Sequence, residues 1–454
     1  MAAPLEGVFV PQPPNPNVAP AAYSSQYLNQ ANNQLKLYLS LLASNQLEIV
    51  KFINTLTDLN LLSKTNFDAF GRLRTSTPFT LFDSQNRYAK DPQFSETLAG
   101  SATCTHLANE SSVAMSVTTA SGDEVVRQSK RVFPYQPGKS LLIMCTFAMA
   151  AGATNLCQRV GYFNTNNGIF LQQKDNALSF IIRTYTGGSA SDAREVAQAD
   201  WNGDKLDGTG ASGVTLDASK TQILFIDLEW LGVGTVRCGF IIDGQYIVAH
   251  TFNNANSLSS VYMQTAILPV RYEIKATGTV AAAKTLKQIC STVISEGGYE
   301  QKSALTWARR TTDATGIGTS FVPLVSIRLK STNLGAVVIP NGFTFMPTSA
   351  SDYFEVALIK NATLTGASYS SASTNVEYDV TATALTGGEI VRSDFTSSGV
   401  LSSNVVNDPS SYNFDSQLGV TLGGTSDVYT LATRVITGTG DAIGALSFWD
   451  LTDP

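Results

Sequence analysis

Charge is scarce in this chain: Asp, Glu, Lys and Arg make up 15% of its 454 residues, against the usual quarter or so. Small polar residues take up the difference. The charge that remains is acidic, −6 at pH 7, and no basic run exceeds Arg309-Arg310. A basic stripe of the kind that holds nucleic-acid phosphates is therefore absent, which excludes packaging or reading nucleic acid as an expectation. Histidine is nearly missing. With His106 and His250 alone, a zinc site or a Ser-His-Asp triad has little to build on, and no metal or other cofactor is expected. His250 reads instead as a packed strand residue alternating with Val248 and Phe252. Five cysteines, at 104, 145, 157, 238 and 290, are widely spaced with no CxxC pair. That pattern predicts reduced, mostly buried thiols and assembly in a cytosol. The first basic residue is Lys36, so no secretory signal is predicted. The most apolar stretch, 141–151, falls short of the roughly 20 residues a membrane span needs. A phosphate-cradling glycine loop and an alternating βα pattern are also missing, which disfavours a metabolic enzyme.

One absence is itself a pattern. Between Pro20 and Gly71 the chain has no proline and no glycine, and there apolar residues recur every seven positions. Leu28, Leu35, Leu42, Ile49 and Leu56 form one row. Ala31, Tyr38, Phe52 and Leu59 form a second, interrupted by Asn45. A heptad repeat marks a helix that buries a seam against other helices. Over 28–59 it would run about 48 Å at 1.5 Å per residue. Leu39, Leu41 and Ile53 widen the stripe, favouring three or more helices, hence a trimer, or packing on the chain's own β body. Ahead of it, residues 1–22 carry Pro4, Pro11, Pro13, Pro14, Pro16 and Pro20. Such a segment favours extended polyproline II, suited to docking on a neighbouring protein.

From about residue 66 the period changes from seven to two. Strands are predicted at 140–149, 161–173, 178–186, 222–230, 235–242 and 246–252, with turn dipeptides at Asn167-Gly168, Asp175-Asn176 and Asp243-Gly244. Beyond Gly297-Gly298 the composition shifts toward Ser, Thr and Gly, with strands at 321–329, 336–339, 354–359, 376–382 and 432–437. The expected organisation is mainly β: a Pro-rich arm (1–22), a heptad helix (23–65), and two antiparallel β-sandwiches (66–299 and 300–454). The element order in 130–255 is similar to that of a concanavalin-like jelly roll, which hosts lectins, enzymes and scaffolds alike.

Several blocks are distinctive: NFDAFGRLRTSTPFTLFDSQNRY (66–88), WNGDKLDGTG (201–210), TQILFIDLEWLGVGTVRCGFIIDGQYIVAHTF (221–252) and LPVRYEI (268–274). VSIRLKS (325–331) and ALTGG (384–388) accompany them. Over roughly 66–450 the chain resembles a family of virion-associated structural proteins of marine tailed phages, especially cyanophages, with relatives in large algal viruses. The resemblance implies a virion component assembled in the host cytoplasm. It brings no catalytic residues, and the arm and helix lie outside it.

Some residues invite chemistry and have an ordinary reading beside it. Asp227 and Glu229 alternate on a strand, so both carboxylates face one side, as in a glycosidase pair or on any solvent-facing strand. Leu224, Ile226, Leu228 and Trp230 would form the opposite, buried face. Asp200, Asn202, Asp204 and Asp207 gather oxygens in a loop. Lys205 stands where an EF-hand needs glycine and Ser212 where it needs glutamate, so turn chemistry is the default. Tyr185, Trp201 and Tyr262 would line a sugar platform, or pack in a core. Asp68, Arg72, Arg74 and Asp83 would form a charge network joining stalk to body, or unremarkable surface pairs.

The expected function is structural and non-enzymatic: a trimeric fibre-like or appendage protein of a tailed phage, anchored by its arm and helix. The rivals are a capsid cement or decoration protein, and a host-glycan-binding or depolymerase tail protein.

Overall fold

Strict alternation shapes most of the β-strands. In Gly440–Asp450 every second residue is buried along the whole strand, and Leu141–Ala148 keeps the same period over most of its length. Each strand thereby offers one apolar face to a core. A computed structural model of the chain describes residues 77–300, 303, 305–349, 353–397 and 414–452, and positions 32, 33, 35–37, 39, 40 and 42. It divides into two units, 1–75 and 76–454.

In the first unit every described position is helical. Leu35 and Leu42, one heptad apart, are 55% and 41% exposed, and Leu37 and Leu39 are exposed beside them. The arm and the seam residues Leu28, Ala31, Tyr38, Ile49, Phe52, Leu56 and Leu59 lie outside the described residues, as do Asp68, Arg72 and Arg74.

The second unit is β-sandwich throughout. One eight-stranded antiparallel sheet runs Gln245–Phe252, Val236–Ile242, Gln222–Leu228, Leu141–Ala148, Lys284–Ser295, Ser112–Val117, Thr103–Leu107. Phe79–Gln85 also pairs with the far end of the long Lys284–Ser295 strand. Facing it is a seven-stranded sheet: Ser191–Ala197, Ala177–Thr184, Gly168–Lys174, Leu156–Phe163, Val270–Ala276, Glu124–Ser129, Phe94–Ala99. Their inner faces supply Val113, Ile143, Phe147, Leu224, Ile226 and Phe240 from one side and Val160, Tyr162, Leu171, Phe180 and Tyr272 from the other.

The hairpins follow the turn chemistry. Asp243 and Gly244 both take positive φ, +51° and +75°, which joins Val236–Ile242 to Gln245–Phe252 through two residues. Asp175, at φ +55°, turns Gly168–Lys174 into Ala177–Thr184. The 161–173 stretch differs from expectation. It is two strands, Leu156–Phe163 and Gly168–Lys174, folded back at Asn164–Asn167, where Asn164 Oδ1 accepts from the backbone N–H groups of Asn166 and Asn167 at 2.8 Å.

Beyond residue 300 a three-stranded sheet, Leu305–Ile317, Gly440–Asp450, Val338–Pro347, packs on a six-stranded one, Ser370–Ser371, Val376–Asp379, Val322–Leu329, Val428–Val435, Tyr353–Lys360, Glu389–Ser397. The apolar core is continuous from Leu81 to Phe448. The segment 417–422 runs along the first sandwich: Val420 N–H donates to Lys130 O at 2.7 Å, Leu422 N–H to Ser95 Oγ at 3.1 Å, and Gln417 Nε2 to Val132 O at 3.2 Å. Among the described residues no helix is long and apolar enough to cross a membrane.

Candidate functional site

Each sheet of the first sandwich has an outer face, and the two differ. On the seven-stranded sheet, Phe163 and Phe170 lie on the outer side with ring centroids 4.4 Å apart. Arg159 and Arg183 lie over Phe170 at 5.8 and 5.1 Å, and Arg271 over Phe163 at 5.4 Å. Glu273 accepts from Arg159 and Arg271 at 2.8 Å each, and Asp192 takes the fork of Arg183 at 2.7 and 2.8 Å. These side chains bury one another, so the face closes on itself through cation–π and ion-pair contacts.

The outer face of the eight-stranded sheet is open. Gln222–Leu228 turns Leu224, Ile226 and Leu228 into the core and leaves Phe225 and Asp227 outside. Register sets their neighbours: Asp227 stands between Leu142 and Arg237, and Phe225 between Met144 and Gly239. A Cβ at Gly239 would strike the Phe225 ring and the Ile247 carbonyl, so glycine there lets the ring lie flat across the sheet. Tyr246, placed by the Asp243-Gly244 hairpin, meets Phe225 edge-on at 5.2 Å and is 57% exposed. Glu296 follows the end of Lys284–Ser295 and accepts from Ser140 Oγ at 3.0 Å.

Leu142, Phe225, Asp227, Arg237, Tyr246, Val248 and Glu296 together line a depression of about 240 Å³. Asp227 is 8% exposed and accepts a hydrogen bond from Arg237 Nη2. Burial pushes its carboxyl above the ordinary range; Arg237 opposes the shift, while Glu296 and Glu229 add to it. Floor and wall are apolar or aromatic, and the edge is two carboxylates and one guanidinium. A second crevice, of about 280 Å³, separates the sandwiches, but its charges largely pair with each other: Arg131 with Asp415 at 3.1 Å and Lys360 with Asp427 at 3.0 Å.

The structure rearranges the residues singled out from sequence. Asp227 is in the open site, but Glu229 lies past the strand end, exposed, with its N–H on Thr235 O. The carboxylate that shares the depression is Glu296, more than sixty positions on. Trp230 is half-buried beyond the same strand end. The sugar platform is corrected. Trp201 and Tyr262 are each 2% exposed, Trp201 stacked on Phe180 at 4.7 Å and bonded to Val196 O, so neither ring face is available to a ligand. Tyr185 is half-buried, its backbone N–H on Asn167 Oδ1. Asp83 is exposed on Phe79–Gln85.

The acidic loop is occupied by its own backbone. Asp204 accepts from Leu206 and Ser212 N–H at 2.9 and 2.7 Å, Asp207 from Thr209, and Asn202 exchanges two bonds with Thr251. Among the described residues no group of three or more His, Cys, Asp and Glu side chains is placed to hold a metal ion. His250 is 6% exposed, its Nδ1 on Asn202 N–H and its ring against Phe252 at 4.4 Å. Burial, aided by Arg194, lowers its pKa. His106 Nε2 sits 2.8 Å from Asn86 O.

Arg237, Tyr246 and Glu296 went unnoticed in the sequence. Tyr246 carried a signal, since a large aromatic two residues past a tight turn is held at a sheet edge. Glu296 carried none, because its position depends on the pairing of strands far apart in sequence.

No protein-family model matches the sequence, and no curated protein matches it. Among solved structures, several align weakly with about half of the chain. The carbohydrate recognition domain of Emp47p aligns at TM-score 0.30 and 10% identity, over 49% of this chain and 98% of that one. The CBM2 module of the evolved Dit of Lactobacillus casei BL23 phage J-1 aligns at 0.34 and 6%, over 50% and 100%. A beta-1,3-glucanase from Mycobacterium marinum aligns at 0.33 and 12%, over 47% and 98%. Likeness this weak says nothing of what this chain binds.

Proposed function

We propose that the chain is a structural, non-catalytic component of a tailed-phage virion: a fibre-like or appendage subunit that trimerises through its N-terminal helix and docks through residues 1–22. Its first sandwich is read as a concanavalin-like jelly roll. The observation that carries the assembly is the exposure of Leu35 and Leu42, at 55% and 41%, one heptad apart on a helix. Leucines at that spacing gain roughly 1.5–3 kcal/mol each when a neighbouring helix covers them. The virion setting is supported by the resemblance of the 66–88 and 201–274 blocks. A cement role on a capsid would need the β body itself to bury large surfaces between neighbours.

The test is the mass in solution of the full chain beside Leu35→Asp/Leu42→Asp. A trimer that dissociates in the double variant supports the reading; a wild-type monomer, or a trimer indifferent to the change, removes the helix as the assembly element.

A second reading, a host-glycan-binding tail protein, is favoured by the open depression around Asp227, which joins an exposed aromatic to hydrogen-bonding groups. Its test is retention of the full-length protein on host-cell polysaccharide.

A further inference from the structure

We propose that the outer edge of the Glu389–Ser397 strand joins the same strand of a second copy of this chain, antiparallel, about a two-fold axis at Ser393. The contact lies in the second sandwich. It goes beyond the helix-mediated assembly proposed above and does not depend on it.

Among the described residues, Glu389–Ser397 pairs on one side only, with Tyr353–Lys360. It ends the six-stranded sheet with nine residues, whereas the opposite end, Ser370–Ser371, has two. An edge strand presents unpaired N–H and C=O groups to any chain able to continue the ladder. Proteins blunt such edges with lysine, proline, bulges or very short strands. This strand has neither lysine nor proline. Its one irregularity, a register shift between Leu358 and Ile359, lies at the Val391 end, and the run from Arg392 to Ser397 is regular. Its outward side chains are those of an interface. Phe395 is 70% exposed, Val391 44%, and Tyr353, directly opposite Ser397, 67%. Alternation brings 391, 393, 395 and 397 to one face of the sheet.

The strand is complementary to itself. A two-fold axis normal to the sheet keeps every side chain on its own face, so the axis must pass through a residue. Centred on Ser393, the midpoint of the strand, it sets Val391 opposite Phe395 and Arg392 opposite Asp394, each twice. Aromatic–β-branched and opposite-charge pairs are both favourable across a ladder. Charges on an edge ordinarily repel a second strand, but these two are of opposite sign and symmetric about the axis. Arg392 already donates from Nε to Asp394 Oδ2 at 3.2 Å within its own strand, so two copies would close a ring of four alternating charges. The neighbouring registers fail by the same rule. Centred on Arg392 or on Asp394, the axis sets that charge against itself, and like charges directly opposite are destabilising. The partner strand must therefore carry an acid opposite Arg392, a base opposite Asp394 and an aromatic opposite Val391, and a second copy carries all three.

Analytical ultracentrifugation of the full chain carrying Leu35→Asp/Leu42→Asp, in which assembly through the helix is disabled, tests the edge by itself. A monomer–dimer equilibrium is expected. Arg392→Asp and Asp394→Arg each set like charges opposite one another and should weaken the dimer about tenfold apiece, as should Phe395→Ser. The double exchange Arg392→Asp/Asp394→Arg restores opposite charges in the same register and should recover most of the affinity. Ser393→Cys places two thiols across the axis, within the roughly 4.4–6.8 Å Cα separation of a disulfide, and should cross-link copies under mild oxidation. Ser397→Cys, on the same face but about 26 Å from its counterpart, should not. A monomer at every concentration, a double exchange no tighter than either single change, or cross-linking at 397 as fast as at 393 overturns the proposal.

Discussion

Arg131 donates from Nη1 to the backbone carbonyl of Phe414 at 2.5 Å, across 283 positions of sequence. The guanidinium is 5% exposed, lies over the Phe82 ring at 5.2 Å, and also reaches Gln93 Oε1 and Asp415. One side chain of the first sandwich thus holds the chain that passes between the two. Arg131→Met keeps much of the volume and removes every donor, leaving the Phe414 carbonyl without its Arg131 donor. Such losses cost about 1–3 kcal/mol. Denaturation followed by the fluorescence of the four tryptophans, Trp201 and Trp230 in the first sandwich and Trp307 and Trp449 in the second, should show a lower midpoint. An unchanged midpoint would mean the contact adds nothing to stability.

Glu273 predicts a pH dependence. Burial raises its carboxyl, but Arg271 and then Arg159 outweigh that and hold it below the ordinary 4.5. Below about pH 4.5 the unfolded chain therefore takes up a proton that the folded chain refuses. The stability from this group is complete above that pH and is lost as pH falls through the folded pKa. Glu273→Gln should remove that part of the acid slope. It should also lower neutral-pH stability by about 3 kcal/mol, since two largely buried guanidinium groups lose a shared counter-charge. Urea titrations from pH 3 to 7 on both proteins read the difference directly; parallel curves would exclude Glu273 as a source of the slope.

Burial is the leading influence on all five cysteine thiols. Burial pushes the Cys104 and Cys145 thiols to about 12, and Cys157, Cys238 and Cys290 shift the same way. An unperturbed thiol, with pKa near 8.5, carries appreciable thiolate at pH 8; these carry little. Ellman's reagent should react slowly with the native protein and with all five thiols in denaturant. Rapid stoichiometric labelling of the native state would contradict the burial.

Those thiols were legible in the sequence, as were the hairpins, because both depend on local chemistry. Asp243-Gly244 needs only positive φ at adjacent residues, and Leu224, Ile226 and Leu228 need only alternation to declare a buried face. What local rules could not reach was register. Asp227 meets Arg237 and Glu296 because Gln222–Leu228 pairs with Val236–Ile242 on one side and Leu141–Ala148 on the other. Glu229, which alternation places beside Asp227, falls past the point where the strand ends. Trp201 left two readings open, a sugar platform or a packed core; its ring lies under a Gly-rich loop against Phe180, which is the packed one, and composition alone does not choose between them.

Asp227 offers the sharpest energetic test of the open site. Its carboxyl is raised above the ordinary 3.8 by burial, with Glu296 and Glu229 adding to the shift against Arg237. A raised acid works in the opposite sense to Glu273. Between the unfolded and folded pKa values the folded chain holds a proton that the unfolded chain has released, so the group favours folding at low pH. That contribution disappears as pH rises through the folded value, and at neutral pH the ionised carboxylate opposes folding. Asp227→Asn keeps the shape and removes the charge, leaving Arg237 exposed enough to find water. The variant should be at least as stable as the wild type at pH 7, with its advantage shrinking as pH falls through the raised folded value and gone once pH is below the ordinary 3.8. Thermal unfolding midpoints at pH 3.5 and 7 measure both limbs. A clear loss of stability at pH 7 would show instead that the Asp227–Arg237 pair is structural, with attraction outweighing the desolvation of the carboxylate. A gain would mark a charge kept at the expense of stability, which is how binding sites commonly differ from the folds that carry them.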